Sequence, residues 1–196
     1  MKYLKFFDEI EKIVVYDDLT QFLGVNEDGV VDITYPDVVK SAGHSCATVA
    51  GAYLIAKEGL KELFKDELPK RGYIKIEIKK DPLQDNAGVV GSVLSMITGA
   101  TKDFGFGGIP TGKFNRRELL FFGADIETDV CFTRVDTGEK VGVNYRPKKV
   151  VEPMSILKSA IDPDATQEDK ESFGRRFQEM VQTVFENTDK VIEVVK

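Results

Sequence analysis

The sequence predicts an α+β protein in which a mixed or antiparallel sheet packs against helices, with a core domain over residues 1–152 and a helical extension over 153–196. Three observations carry this expectation. Strand-like and helix-like stretches come in blocks rather than in strict alternation, which disfavours a doubly wound parallel sheet. YIKIEIK, residues 73–79, alternates Ile74, Ile76 and Ile78 with Lys75, Glu77 and Lys79, the pattern of a strand with one face on a core. Three strand-like runs, RELLFFG, DVCFTRV and KVGVNYR, then follow in succession, the last two joined at Asp136-Thr137-Gly138 as a hairpin. Such a succession favours antiparallel pairing.

Taken in order, LKFFDEIEKIV sets Leu4, Phe7, Ile10 and Val14 at helical spacing and predicts an amphipathic N-terminal helix. DDLTQFLG reads as a short helix stopped by Gly24, and NEDG as a turn into the strand VVDIT. Pro36 stands where a first helical turn tolerates it, opening a brief helix through VVKSAG. From Ser45 onward, Cys46, Val49, Tyr53, Leu60, Leu63 and Phe64 mark a long helix ending before Pro69. Its first turns carry Ala47, Ala50, Gly51 and Ala52, small residues that permit close packing. NAGVVGSVLSMITG reads as a helix closed by Gly99, followed by a glycine-rich loop, GATKDFGFGGIPTGKFN. Beyond the three strands, IDPDA turns into a helix whose buried face holds Phe173, Phe177, Met180, Val184 and Phe185.

Composition limits the function classes. With 196 residues, 42% of them hydrophobic and 31% charged, the chain has the make-up of an ordinary globular protein. No apolar run approaches the roughly 20 residues that cross a bilayer, and MKYLKFFDEIEK puts acids where a secretory signal would be apolar. The expectation is a cytoplasmic protein that does not engage the membrane. A net charge of −6 argues against general affinity for nucleic acid. Two cysteines, Cys46 and Cys131, cannot build a disulfide framework and form no Cys-x-x-Cys pair.

The stretch SAGHSCATVAGAY, residues 41–53, holds the single histidine, His44, and one of the two cysteines, Cys46. Both fall at the start of the long helix, with Ser45 as the expected N-cap and Cys46 in the first turn. Unpaired backbone N–H groups and the positive end of a helix dipole stabilise a thiolate there, which suits a nucleophile or a metal ligand. Imidazole and thiolate are both good ligands for zinc or another divalent transition metal. Two ligands do not complete a tetrahedral site, so further donors must come from Cys131, carboxylates, water, a substrate or a second copy of the chain. The alternative is packing alone, with Cys46 as a small apolar residue and His44 bonded to nearby backbone. Cys131, in the alternating run DVCFTRV, reads as a sheet residue.

GGIPTGK, residues 107–113, matches a phosphate-cradling loop up to its lysine, but Phe114 stands where that motif needs a hydroxyl and Pro110 removes a backbone donor. What remains is a loop whose Lys102, Lys113 and Asn115 can close over an anion, or a connector whose glycines allow a tight path.

GHSCATVAGAYLIAKEGLKEL resembles the signature of the formylmethanofuran dehydrogenase E-subunit family, in which a Gly-His-x-Cys-Pro segment opens a long helix with small residues in its first turns. ITGAT resembles that family's Thr-Gly-Cys-Thr segment, and the loop with Lys113 and Asn115 its Gly-Lys-Gly-Asn element. The likeness covers residues 35–150. His44, Cys46, Thr98, Gly99 and Thr101 carry over directly, Lys113 and Asn115 through a longer loop. Ala47 replaces the family's proline, Ala100 stands at its second cysteine, and Val89 and Ser92 stand nearest a further cysteine and an acid. The paired-cysteine zinc finger that some relatives carry at the C-terminus is missing from residues 153–196.

The resemblance implies an α+β core, a homodimer, and an association with the molybdenum or tungsten oxidoreductase of methanogenesis, although relatives also occur outside methanogens. Two functions follow from different classes. One is a metal- or thiol-dependent enzyme on a small, anionic, cofactor-like molecule, with Cys46 as ligand or nucleophile, His44 as ligand or base, and Lys113, Asn115 and Thr101 contacting the ligand. The other is an accessory protein that binds or delivers a metal or cofactor to such an oxidoreductase.

Overall fold

In the computed structural model of the protein, which describes residues 2–196, helices pack against a five-stranded sheet and a separate two-stranded one. The α+β expectation holds. The chain runs α1 (Phe6–Glu9), β1 (Ile13–Tyr16), α2 (Asp18–Phe22), β2 (Val30–Ile33), α3 (Tyr35–Ala42), α4 (Ala47–Phe64), β3 (Ile74–Ile78) and α5 (Ala87–Thr98). It continues through β4 (Leu120–Phe122), β5 (Val130–Arg134), β6 (Lys140–Tyr145), α6 (Pro153–Ile161), α7 (Gln167–Glu186), α8 (Thr188–Val191) and β7 (Ile192–Val195). None of these helices is long and apolar enough to cross a membrane.

The N-terminal helix expected through Val14 is a single turn, α1, and the chain then extends. The reason is the β-branched run Ile13-Val14-Val15: Ile13 and Val15 are buried while Val14 and Tyr16 are half-buried. That period-two alternation suits a strand on a core face. β1 pairs antiparallel with β2, from Ile13 opposite Ile33 to Tyr16 opposite Val30.

The large sheet has the order β4-β3-β5-β6-β7. Ile74, Ile76 and Ile78 point into the core as their alternation predicts, and burying side chains of that size contributes roughly 1.5–3 kcal/mol each. β3 and β5 pair antiparallel along their whole length, Ile74 opposite Arg134 and Ile78 opposite Val130. β5 and β6 form the expected hairpin. β4 departs from the expectation of consecutive antiparallel strands. Because β5 already occupies one edge of β3, β4 lies on the other and runs parallel, after the crossover that carries α5.

α4 lies across β5 and β6 at very short range. A Cβ at Gly51 would stand 2.3 Å from the Tyr145 ring, and one at Gly59 2.6 Å from Phe132, so only glycine permits this approach. The stretch 153–196 is helical in α6 to α8 but ends in β7, which pairs with β6 from Tyr145 opposite Ile192 to Gly142 opposite Val195. α7 buries Met180, Val181 and Val184. Phe185 sets its ring 4.7 Å from that of Tyr35, edge to face, while Phe173 and Phe177 are half-buried and contact each other.

Candidate functional site

The turn between α3 and α4 is fixed from both sides. Thr34 and Asp37 form a reciprocal capping box at the start of α3, and Gly43 ends the helix in the left-handed conformation, φ 77°, donating its N–H to Val39 O. His44-Ser45-Cys46 follow. Cys46, rather than Ser45, is the N-cap of α4: its backbone is extended and its Sγ accepts from Val49 N at 3.5 Å. Ser45 is occupied elsewhere. Its Oγ is 2.9 Å from the Tyr35 hydroxyl and its carbonyl accepts from Gln178 Nε2 at 3.1 Å.

The half-buried thiol therefore has Tyr35 and α7 on one side and Tyr145, whose hydroxyl donates to Ala47 O at 2.7 Å, on another. Burial pushes both phenols well above their ordinary range, and the nearby Cys46 pushes them further. They stay protonated. Gln178 Oε1 is buried without a hydrogen-bond partner.

His44 is exposed, with Nδ1 3.0 Å from Ala42 O. A carbonyl can only accept, so in the neutral ring Nδ1 carries the proton and Nε2 holds the free lone pair. His44 lines a groove of about 240 Å³ against α5, facing Val89, Ser92 and Met96. Cys46 is not among the lining residues. The imidazole thus opens toward α5, and the thiol has Tyr35 and Tyr145 near it. Val89 and Ser92, where the resemblance would require a cysteine and an acid, do face His44 and offer no strong ligand.

Zinc, the implied metal, fits this donor set poorly. Among the described residues no group of three or more His, Cys, Asp and Glu side chains can hold an ion. One imidazole and one thiol leave a tetrahedral centre two donors short. Cys131 does not fill the gap. It sits on β5 opposite Glu77, where burial and then that carboxylate push its thiol up, and both cysteines are free.

Thr101, Lys113 and Asn115 lie beyond the other end of α5. The Thr101 hydroxyl reaches the carbonyls of Phe104 and Arg116, the latter at 2.7 Å. The Asn115 side chain closes on Arg117, donating to its carbonyl at 3.1 Å and accepting its N–H at 3.2 Å. Lys113 is exposed, and its carbonyl accepts from Ile109 N. Two of the amides that a phosphate cradle would offer are spent inside the loop, Ile109 N on Lys113 O and Gly112 N on Ile109 O.

That end of α5 holds a charge cluster that sequence reasoning passes over. Asp17, the N-cap of α2, accepts from Leu19 N and Thr20 N, from Arg116 Nη2 at 2.7 Å and from Arg71 Nη1 at 3.0 Å. Burial pushes its carboxyl up, but Arg116, the Thr20 amide and Arg71 together hold it below the ordinary range. Arg71 also donates to Met96 O and Ile97 O, satisfying carbonyls at the end of α5. Asp17-Asp18 and Arg116-Arg117 are both legible in the sequence, but they stand 99 positions apart and nothing local pairs them.

No protein-family model matches the chain, and no curated protein matches it.

Proposed function

We propose that the protein acts through the Cys46 thiol on a small anionic molecule, with the His44 imidazole as the neighbouring proton acceptor. The observation that carries the reading is the N-cap position of the thiol: half-exposed, held toward the first amides of an 18-residue helix and flanked by two protonated phenols. A nucleophile needs access, a stabilising field for its anion and nearby donors for the charge that develops on its target. In support of the reading, the thiol is part-exposed and its Sγ accepts from Val49 N in the first turn of α4. His44 Nε2, unencumbered, can take a proton through intervening water.

A second reading rests on the family resemblance. In it, His44 or Cys46 supplies one donor to a metal or cofactor that is carried and handed on, to a molybdenum or tungsten oxidoreductase or across a homodimer whose second copy supplies the donors this chain lacks. The family resemblance and a cytoplasmic setting belong to both readings.

Metal analysis of untagged protein, together with alkylation of the metal-free form, tests them. Iodoacetamide is expected to modify Cys46 in the folded protein faster than Cys131; a Cys46 that stays inert until unfolding ends the thiol reading. Metal near one per chain, lost in either His44→Ala or Cys46→Ala while the metal-free variants melt as wild type, selects the carrier reading.

A further inference from the structure

A cleft of about 310 Å³ opens between α2 with its following turn and the glycine-rich loop after α5. Asp17, Arg71 and Arg116 line it, and Leu23, Val25 and Phe106 form apolar walls. All three wall residues are exposed large hydrophobics. The loop is brought over α2 by Phe114, whose ring lies 5.1 Å from that of Phe22.

Arg116 is the unusual member. Its side chain is only 7% exposed, yet Nη1 is buried with no hydrogen-bond partner, while Nη2 is bound to Asp17. A guanidinium nitrogen cut off from water and without an acceptor is costly, and buried polar groups left in that state require an explanation. The head group is also held close to backbone. A Cβ on Gly72, which has φ +82°, would stand 1.8 Å from Nη1, and one on Gly99 3.1 Å. Glycine at both positions makes room for it.

The charges point the same way. One buried carboxylate, Asp17, faces two guanidinium groups, so the cluster keeps one uncompensated positive charge. The adjoining Asp18 adds no anion to spare, since Lys70 pairs with it at 3.4 Å and the Tyr73 hydroxyl donates to it. The loop itself carries Lys102, Lys113, Arg116 and Arg117 against Asp103 and Glu118.

We infer that this cleft binds a small oxyanion carried on an apolar or aromatic body, a carboxylate or a phosphate ester, with the Arg116 guanidinium, which lines the cleft and is only partly hydrogen-bonded, as the recognising group. The oxyanion neutralises the surplus charge in a setting where charge-assisted bonds are strong. The body covers Leu23, Val25 and Phe106, and the volume falls at the small end of ligand pockets. Asp17 and Arg71 are positioning residues: they fix the guanidinium plane. The inference stands apart from the thiol reading, because neither His44 nor Cys46 lines the cleft.

The test is calorimetric titration of the full chain with phenylacetate, phenyl phosphate and the neutral phenylacetamide. Either anion is expected to bind and the amide not; whichever anion binds tighter identifies the head group. Leu23→Glu, on an exposed position, brings a carboxylate to the cleft and is expected to weaken the anion by about tenfold or more, equivalent to ~1.4 kcal/mol. Phe106→Ala, exposed and outside the charge cluster, is expected to weaken it several-fold. Arg116→Lys keeps a cation for Asp17 but loses the planar second nitrogen, and should lose binding as Leu23→Glu does; should that variant fail to fold, Leu23→Glu decides. His44→Ala and Cys46→Ala are expected to bind as wild type, which keeps this test separate from the thiol. An amide that binds as well as the acids, neither anion binding tighter than roughly 10 mM, or unchanged binding in Leu23→Glu overturns the assignment.

Discussion

The two ends of α5 differ in a way that reverses what the sequence suggests. On the groove side, along the face that carries Val89, Ser92 and Met96, His44 makes one hydrogen bond, to the carbonyl of Ala42. At the last turn, Asp17, Arg71 and Arg116 form a buried, over-charged knot that ties β1, α2, the end of α5 and the following loop together. One region has rare residue types and almost no energetic commitment to the fold. The other has common residue types and a large one. Chemistry that stands at a surface can be altered without cost to the core; chemistry that is built into a tertiary contact cannot.

Stability measurements probe this contrast, beginning with the variant that should cost most. Asp17→Ala leaves two guanidinium groups facing each other with no carboxylate, and is expected to cost about 3–5 kcal/mol in chemical denaturation. Asp17 also gives the knot a pH signature. Its folded carboxyl titrates below the ordinary value of about 3.9, so its contribution is complete above that pH and is lost as the pH falls through the lower folded value. Wild type should therefore lose its advantage over Asp17→Asn below about pH 4, measured by thermal unfolding across that window.

Cys46→Ala should cost about 1 kcal/mol, the usual value of an N-cap, and Cys46→Ser should restore it, because serine caps at least as well. A larger loss that serine does not restore would mean that the thiol is packed as part of the core. His44→Ala is expected to stay within about 0.5 kcal/mol of wild type, since the ring is exposed and tied only to its own turn. A drop of several kcal/mol there would make the two ends of α5 alike and remove the contrast.

Legibility in the sequence follows the range over which each feature is encoded. The span of α4, the alternation of β3, the hairpin at Asp136-Thr137-Gly138 and the left-handed closures at Gly43 and Gly99 are written in adjacent residues. β1 is ambiguous locally, because Leu4, Phe7, Ile10 and Val14 fit helical spacing as well as Ile13 and Val15 fit a strand. Only pairing with β2 decides it. The parallel placement of β4 and the docking of β7 on β6 depend on partners distant in sequence. At the site, residue type alone locates the turn holding His44 and Cys46, but it puts the cap one position early. Ser45 is drawn away by Tyr35 and Gln178, the latter 133 positions downstream. Motif spacing favours Lys113 and Asn115 over Arg116, although only Arg116 reaches a buried partner.

The Asp17–Arg116 contact spans 99 positions and encloses α2, β2, α3, α4, β3 and α5. Closing so large a loop is entropically unfavourable until the intervening elements have condensed. In kinetic terms the knot belongs to the late part of folding and the early part of unfolding. The Leu19 and Thr20 amides, both held by the Asp17 carboxylate, are its reporters. In hydrogen exchange they should open together and sooner than the amides of α4.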